Sequence, residues 1–433
     1  MSNSHLNKAR KRIQDAINFV CENKTDFVKN PEKDFTRKSK LPLKEMLQLS
    51  LSFGGGSLET ELGDYYNLDS KRPSVQGYVQ RRDKIKTEAY EYIFEAFTAS
   101  IPYTQRYKGY RLLACDGTSI STYDGIDRKE TYVSHKCGTG YNAMEVDALY
   151  DLLNHFYVDV VIKGRAQYDE RQSLVDMIER NALGPNDIVM GDRGFESYNV
   201  FAHAIEKGCK FLIRIKDINT SLLLSGLDLP DGEFDTYFSK ILTRRQTKKT
   251  LHSSTYRKLM KATKFDYVKS KWDEYFMHFR VVRIQLDNGS YECLATNLDE
   301  QDFSPEDLKE LYHLRWGIET SFRDLKHRLG AMHLHAKKIN IVKQEIYAKL
   351  TVYNFCWSII MQVNFHKQCK KYMHQINVAK AMNVCKQFLI KKIPKTTDIE
   401  VELLRNTQPI RPGRHDERKV KPAHFIDFNY RIA

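Results

Sequence analysis

Residues 187–195 read Asp187-Ile188-Val189-Met190-Gly191-Asp192-Arg193-Gly194-Phe195. A short apolar run without polar alternation is the pattern of a strand buried on both faces of a sheet. This run ends on an acid, Asp192. Downstream, the spacing predicts a helix over 197–207 and a second buried strand over 211–215. Upstream, it predicts a helix over 168–181 and strands at 111–115, 143–150 and 156–162, the first of which runs into Asp116-Gly117-Thr118. A run of three strands followed by alternating helices and strands indicates an α/β fold, a mixed sheet flanked by helices.

The rest of the chain divides around that sheet. Residues 1–105 are expected to form a helical N-terminal DNA-binding domain, with breaks at Gly54-Gly55-Gly56 and Pro73. The stretch from Pro73 to Arg82 runs from a turn into a basic helix, the shape of a helix-turn-helix reader presenting Arg81, Arg82, Lys84 and Lys86 to DNA. A solvated basic helix face fits the same residues. The first part of the core, 106–217, is followed over 218–280 by polar, basic sequence (Arg244, Arg245, Lys248, Lys249) with no helical period, read as a β-rich insertion. The core resumes over 281–395 with strands at 281–284 and 293–296 and then helices; 396–433 reads as a basic tail.

Composition narrows the class. The 433 residues carry 69 Lys+Arg against 55 Asp+Glu, a formal charge of +14, which favours a polyanionic partner. A merely basic enzyme has the same balance, so charge alone decides little. No run of about 18 apolar residues exists, so a membrane span is not expected. The polar, basic start lacks the apolar core of a secretory signal. The 8 cysteines are scattered, with no C-x-x-C pair, and read as reduced thiols of a cytoplasmic protein. His135, His155 and His203 have no ligand spacing.

The chemistry is expected on a helix over 304–330, capped by Ser304-Pro305-Glu306-Asp307. With Tyr312 as zero, Arg315, Glu319, Arg323 and Lys326 fall within roughly 60° of it, while Leu314, Ile318, Leu325 and Leu329 cluster between roughly 200° and 260°. One side anchors the helix to the sheet; the adjoining side sets a single acid among groups suited to phosphate. Such a face by itself is usually just solvated. Its company changes the odds. Asp116 and Asp192 each follow an apolar strand, and a carboxylate held there needs a partner. A divalent cation is a good one, since Mg²⁺ takes a few carboxylate oxygens together with water and phosphate oxygens. Two such ions can activate a water or 3′-hydroxyl and stabilise the leaving oxygen.

These segments resemble the insertion-sequence-four group of bacterial transposases. Its signature of Tyr, two residues, Arg, three residues, Glu, six residues, Lys is matched by Tyr312, Arg315, Glu319 and Lys326. Its first aspartate precedes Gly-Thr, as Asp116 does, and its second precedes Arg-Gly-aromatic, as Asp192 does. The resemblance covers about residues 70–340 and the Pro-Ile-Arg-Pro-Gly-Arg tail from Pro409. It implies an RNase H-like core interrupted by the β-rich insertion, and Asp116, Asp192 and Glu319 as catalytic metal ligands. It implies two Mg²⁺ ions, with Mn²⁺ able to substitute. Tyr312, Arg315, Lys326, Arg323 and Arg193 would contact DNA, alongside Arg81 and Arg82. It also implies a nucleoid-associated bacterial enzyme, dimeric on paired terminal inverted repeats, that cuts them and transfers them to target DNA. Relatives hold a flipped base against an aromatic of the insertion; here Glu292 stands at that position, leaving Tyr291 or Trp272. The competing readings are a catalytically inactive, transposase-derived DNA-binding protein and a two-carboxylate glycoside hydrolase, the latter leaving the Tyr/Arg/Lys stripe unexplained.

Overall fold

The computed structural model describes residues 4–409 apart from 124–127, 136–137, 219, 222, 364–373, 391 and 395. Beyond Pro409 the expected basic tail lies outside the described residues.

Ten strands form one mixed sheet. They are β1 (Arg111–Ser121), β2 (Tyr132–His135), β3 (Gly138–Asp151), β4 (Phe156–Gly164), β5 (Asp187–Gly191), β6 (Lys210–Ile215), β7 (Phe234–Thr243), β8 (Tyr256–Lys258), β9 (Glu274–Gln285) and β10 (Tyr291–Thr296). Their order is β2-β3-β1-β5-β6-β10-β9-β7-β8, with β4 also paired to β3. The pairs β1–β5 and β5–β6 are parallel, and helices Glu170–Arg180 and Tyr198–Glu206 lie between the strands they join in sequence. All five residues of β5 are buried, as its unbroken apolar run requires.

The structure departs from the expected organisation in three places. First, β1 does not stop at Asp116. It continues to Ser121 because β3 pairs with it antiparallel over its whole outer half, whereas β5 accompanies it only from Arg111 to Ala114. Second, the insertion is not a separate body. Its strand β7 pairs with β9 from Phe234–Arg283 to Thr243–Glu274, and β9 runs unbroken through residue 280, the expected boundary. The insertion therefore extends the core sheet. Third, the N-terminal helices share one apolar core with the sheet-bearing half: Ile13, Val20, Leu47, Tyr90 and Phe97 belong to the same buried cluster as Leu112, Ile318, Val352 and Phe355. At its centre is the helix Ile339–Ile360, buried on nearly all sides. A second cluster, including Leu113, Leu174, Phe201 and Phe211, fills the other face of the sheet.

Candidate active site

Strand register brings the two aspartates together. The offset that pairs Arg111 with Asp187 (187 − 111 = 76) also carries Asp116 onto Asp192 (192 − 116 = 76), two places beyond the last parallel pair, Ala114–Met190. Alternation along each strand puts both acids on the face of Ala114 and Met190, the face covered by Ile318 and Phe322. Each acid is held by a main-chain donor: the Gly117 N–H donates to Asp116 Oδ1 at 2.8 Å, and the Gly194 N–H donates to Asp192 Oδ1 at 2.8 Å. A Cβ at 194 would stand 2.4 Å from a Glu170 carboxylate oxygen, so that side chain would have to shift to admit one.

The third acid arrives on a segmented helix. The expected continuous helix over 304–330 is three pieces: Pro305–His313, Trp316–Arg323 and a wider turn over Asp324–Arg328. The first starts on a capping box in which Ser304 and Asp307 bond each other's backbone N–H groups at 3.1 and 3.0 Å. At the junction the Arg315 N–H bonds back only three residues, to the Tyr312 carbonyl, which tightens the chain there. The break changes the wheel. Ile318, Leu325 and Leu329 are buried as expected, but Leu314 faces solvent.

At this junction Arg315 turns inward. Its guanidinium is buried and bridges two of the three acids, at 2.8 Å from Glu319 Oε1 and 3.6 Å from Asp116 Oδ2. Its Nε is buried with no hydrogen-bond partner. Tyr312 was expected to touch phosphate, yet its ring is buried with the Arg315 guanidinium 5.8 Å from its centroid, and burial pushes its hydroxyl up to about 12. That side chain supports Arg315 and does not stand at the surface. Lys326 is half-buried, and burial lowers its pKa while the charge of Glu145 opposes the shift. Arg323 and Arg193 are exposed.

The electrostatics mark this as a strained place for negative charge. Burial first, with Asp192 and Glu319 adding to it, pushes Asp116 up to about 6 against the pull of Gly117 and Arg315. Asp192 and Glu319 are half-buried. Among the described residues no three His, Cys, Asp or Glu side chains form a ready-made metal cage. Mg²⁺ does not need one, since it binds through one or two carboxylates and completes its shell with water and phosphate. Register-matched aspartates with an excess of negative charge, neutralised for now by an arginine, fit a divalent cation.

The register also separates this site from a second acidic group. Asp147 pairs across from Gly117, so its carboxylate lies on the opposite face of the sheet from Asp116. There burial pushes it up to about 6, beside Tyr168 and Ser173. In sequence Asp147 lacks the Gly-Thr and Arg-Gly-aromatic that follow the two aspartates, and the register sets it on the other face.

Within the N-terminal basic run Arg82 is consumed internally, which corrects its expected place on a DNA-reading face. Arg82 is 2% exposed, with its guanidinium 2.7 Å from Glu345 and further bonds to Gln344 and the Ile341 carbonyl. Lys84 pairs with Asp34, Lys86 donates to the Asp26 carbonyl, and Arg81 lies over the Phe35 ring. Of the two candidate base platforms, Tyr291 has the Arg283 guanidinium 3.8 Å from its ring centre, whereas Trp272 is exposed between Arg245 and Lys271. Sequence reasoning missed the exposed ladder Tyr237–His278–Phe276, whose rings stack nearly parallel across β7 and β9. Only pairing shows it.

The family described as Transposase DDE domain matches residues 107–355. The transposase for insertion sequence element IS421 of Escherichia coli is 38% identical over 72 residues, 16% of this chain and 19% of that protein. InsL of insertion sequence element IS186A, from Escherichia coli (strain K12), is also 38% identical over 72 residues, 16% of this chain and 20% of its own length. The chain thus spans about a fifth of the length of these relatives. Among solved structures, it is similar to the piggyBac transposase in a synaptic complex with hairpin DNA, with a TM-score of 0.44 and 11% identity over 87% of this chain and 77% of that one.

Proposed function

From the premise that this chain belongs to the transposase DDE domain family, we propose that it is a cut-and-paste DNA transposase of the insertion-sequence-four group. In this reading it has an RNase H-like core, binds terminal inverted repeats as a homodimer, and performs strand cleavage and strand transfer. The observation that supports the reading is that Asp116 and Asp192, just past the parallel β1–β5 pairing, act on each other's charge, and that Glu319 is tied to Asp116 through Arg315. Asp116, Asp192 and Glu319 would hold Mg²⁺, or Mn²⁺ in its place. Bound there, two ions would activate the attacking oxygen and stabilise the leaving one. No helix among the described residues is long and apolar enough to cross a membrane.

The chain's own groups supply the rest. Arg315 holds Asp116 and Glu319 where cations would bind, and would offer its fork, including the unpartnered Nε, to a phosphate beside the scissile bond. Tyr312 positions Arg315 from below. Lys326, Arg323 and Arg193 contact flanking phosphates, Lys as a point charge. The test is Glu319→Gln on a terminal-repeat duplex. Cleavage should disappear while binding stays within about twofold, because the change removes one negative charge and no cation. Normal cleavage by that variant refutes the assignment.

A further inference from the structure

A cleft of about 800 Å³ lies on the sheet face opposite the carboxylates, between helices Glu170–Arg180 and Tyr198–Glu206 and the segment 257–264 of the insertion. Five cations line it: Arg171, Lys216, Arg257, Lys258 and Lys264. Among the described residues none of them is paired with a carboxylate. Arg171 donates to the Gly194 carbonyl, Arg257 to the Leu223 carbonyl and the Ser225 hydroxyl, and Lys264 to the Gln172 amide oxygen. The Nε of Arg257 is buried and has no partner. The two acids of the lining are already engaged, Asp169 as a helix cap for the Gln172 N–H and Glu196 with Ser221 and the Lys216 N–H. The first turns of both helices also face the cleft, adding the positive ends of their dipoles.

Concave surfaces lined by one sign of charge focus the field and concentrate the opposite ion. The insertion around this cleft is itself basic, with twelve Lys and Arg against seven Asp and Glu over residues 218–280. We propose that the cleft is a second phosphate-binding site, which takes the backbone of a DNA strand leading away from the carboxylates. The loop 192–196 links the two places: Asp192 stands at its start, Arg171 grips Gly194 in its middle, and Glu196 lines the cleft. A strand leaving the reacting centre past Arg193 meets the cleft next. The inference rests on the transposase reading for its choice of DNA over a free polyphosphate, since phosphate chemistry alone fits both.

The test uses the full chain with Lys216, Lys258 and Lys264 all changed to Gln, and again with all three changed to Arg. The salt dependence of binding to a terminal-repeat duplex is compared with binding of inorganic pyrophosphate. Removing one phosphate interaction lowers the slope of log affinity against log salt by about 0.9. The Gln variant should therefore lose about 2–3 units of slope, and the Arg variant should keep the wild-type slope. An unchanged slope with pyrophosphate binding that the Gln variant loses overturns the DNA assignment in favour of a free polyphosphate. An unchanged slope with no pyrophosphate binding overturns the site. If the slope falls in the Gln variant as expected but the wild type cleaves nothing, the cleft stands and the catalytic reading alone fails.

Discussion

Arg82→Met separates a structural arginine from a DNA-reading one. In the folded protein the Arg82 guanidinium is buried against Glu345, itself 4% exposed, with bonds of 2.7 Å to Glu345, 3.3 Å to Gln344 and 3.3 Å to the Ile341 carbonyl. Truncating one member of a buried ion pair leaves the other charge without compensation and costs about 3–5 kcal/mol. Glu345 keeps the His335 N–H at 2.7 Å, which places the expected loss near the lower end, about 3 kcal/mol. The pH dependence provides a second mark. Burial would push Glu345 up, but Arg82 and then His335 bring it down to about 2. A carboxylate depressed on folding contributes stability above its unfolded pKa, and that contribution is lost as pH falls through the folded value. Without Arg82 the depression shrinks, so the deficit of the variant should be largest at neutral pH and narrow below about pH 4. Arg82→Met combined with Glu345→Leu should recover most of the loss, because no buried charge then remains unpaired. Urea unfolding of the three proteins, followed by tryptophan fluorescence, reads these differences. Wild-type stability in Arg82→Met together with a specific loss of duplex binding would refute the buried-pair account and restore Arg82 to a DNA-contacting face.

Asp116→Asn should stabilise the metal-free protein at neutral pH by about 1–3 kcal/mol, because ionising a carboxyl raised from 3.8 to about 6 costs the folded state. The sign is that of a raised acid: wild-type stability falls as pH rises through 3.8 to about 6, and the Asn variant lacks that fall in thermal melts. Arg315→Gln removes the cation between Asp116 and Glu319, so Mn²⁺ titrated without DNA and followed by electron paramagnetic resonance should bind more tightly than to wild type; weaker binding counts against a displaceable arginine. Gly330→Ala should cost about 1–3 kcal/mol, since Gly330 has φ +75° and a Cβ there would stand 2.8 Å from the Gly54 carbonyl oxygen. Hydrogen exchange of 324–330 should quicken with it, because that close approach fastens the end of the glutamate helix to the Gly54-Gly55-Gly56 turn.

The strands were legible because burial on both faces writes a short apolar run, and its length and flanking turn residues set it apart from a buried helix. The run ending at Asp192 and the run entering Asp116 are both where they were expected, and the spacing of Arg315 and Glu319 still yields an i,i+4 ion pair on a helical turn. Arg82 was misleading for a definite reason: a cation facing solvent and a cation facing a buried glutamate 263 positions away look alike in sequence. The insertion boundary at 280 failed similarly, since residues on either side belong to one strand whose continuity is set by β7.

By itself, then, the sequence marked the residues expected to carry the chemistry: two acids on apolar strands and a Tyr, Arg, Glu, Lys series on a capped helix. The tertiary structure decided which of them meet. Parallel pairing with an offset of 76 sets Asp116 beside Asp192 and puts Asp147 behind the sheet. Packing of the glutamate helix against the sheet sets Arg315 between Asp116 and Glu319, and the neighbouring helices bury Arg82. Local sequence fixes a residue's chemistry and its phase along one element. Pairing register and helix continuity depend on partners far along the chain, and those long-range contacts choose the neighbours of each charge.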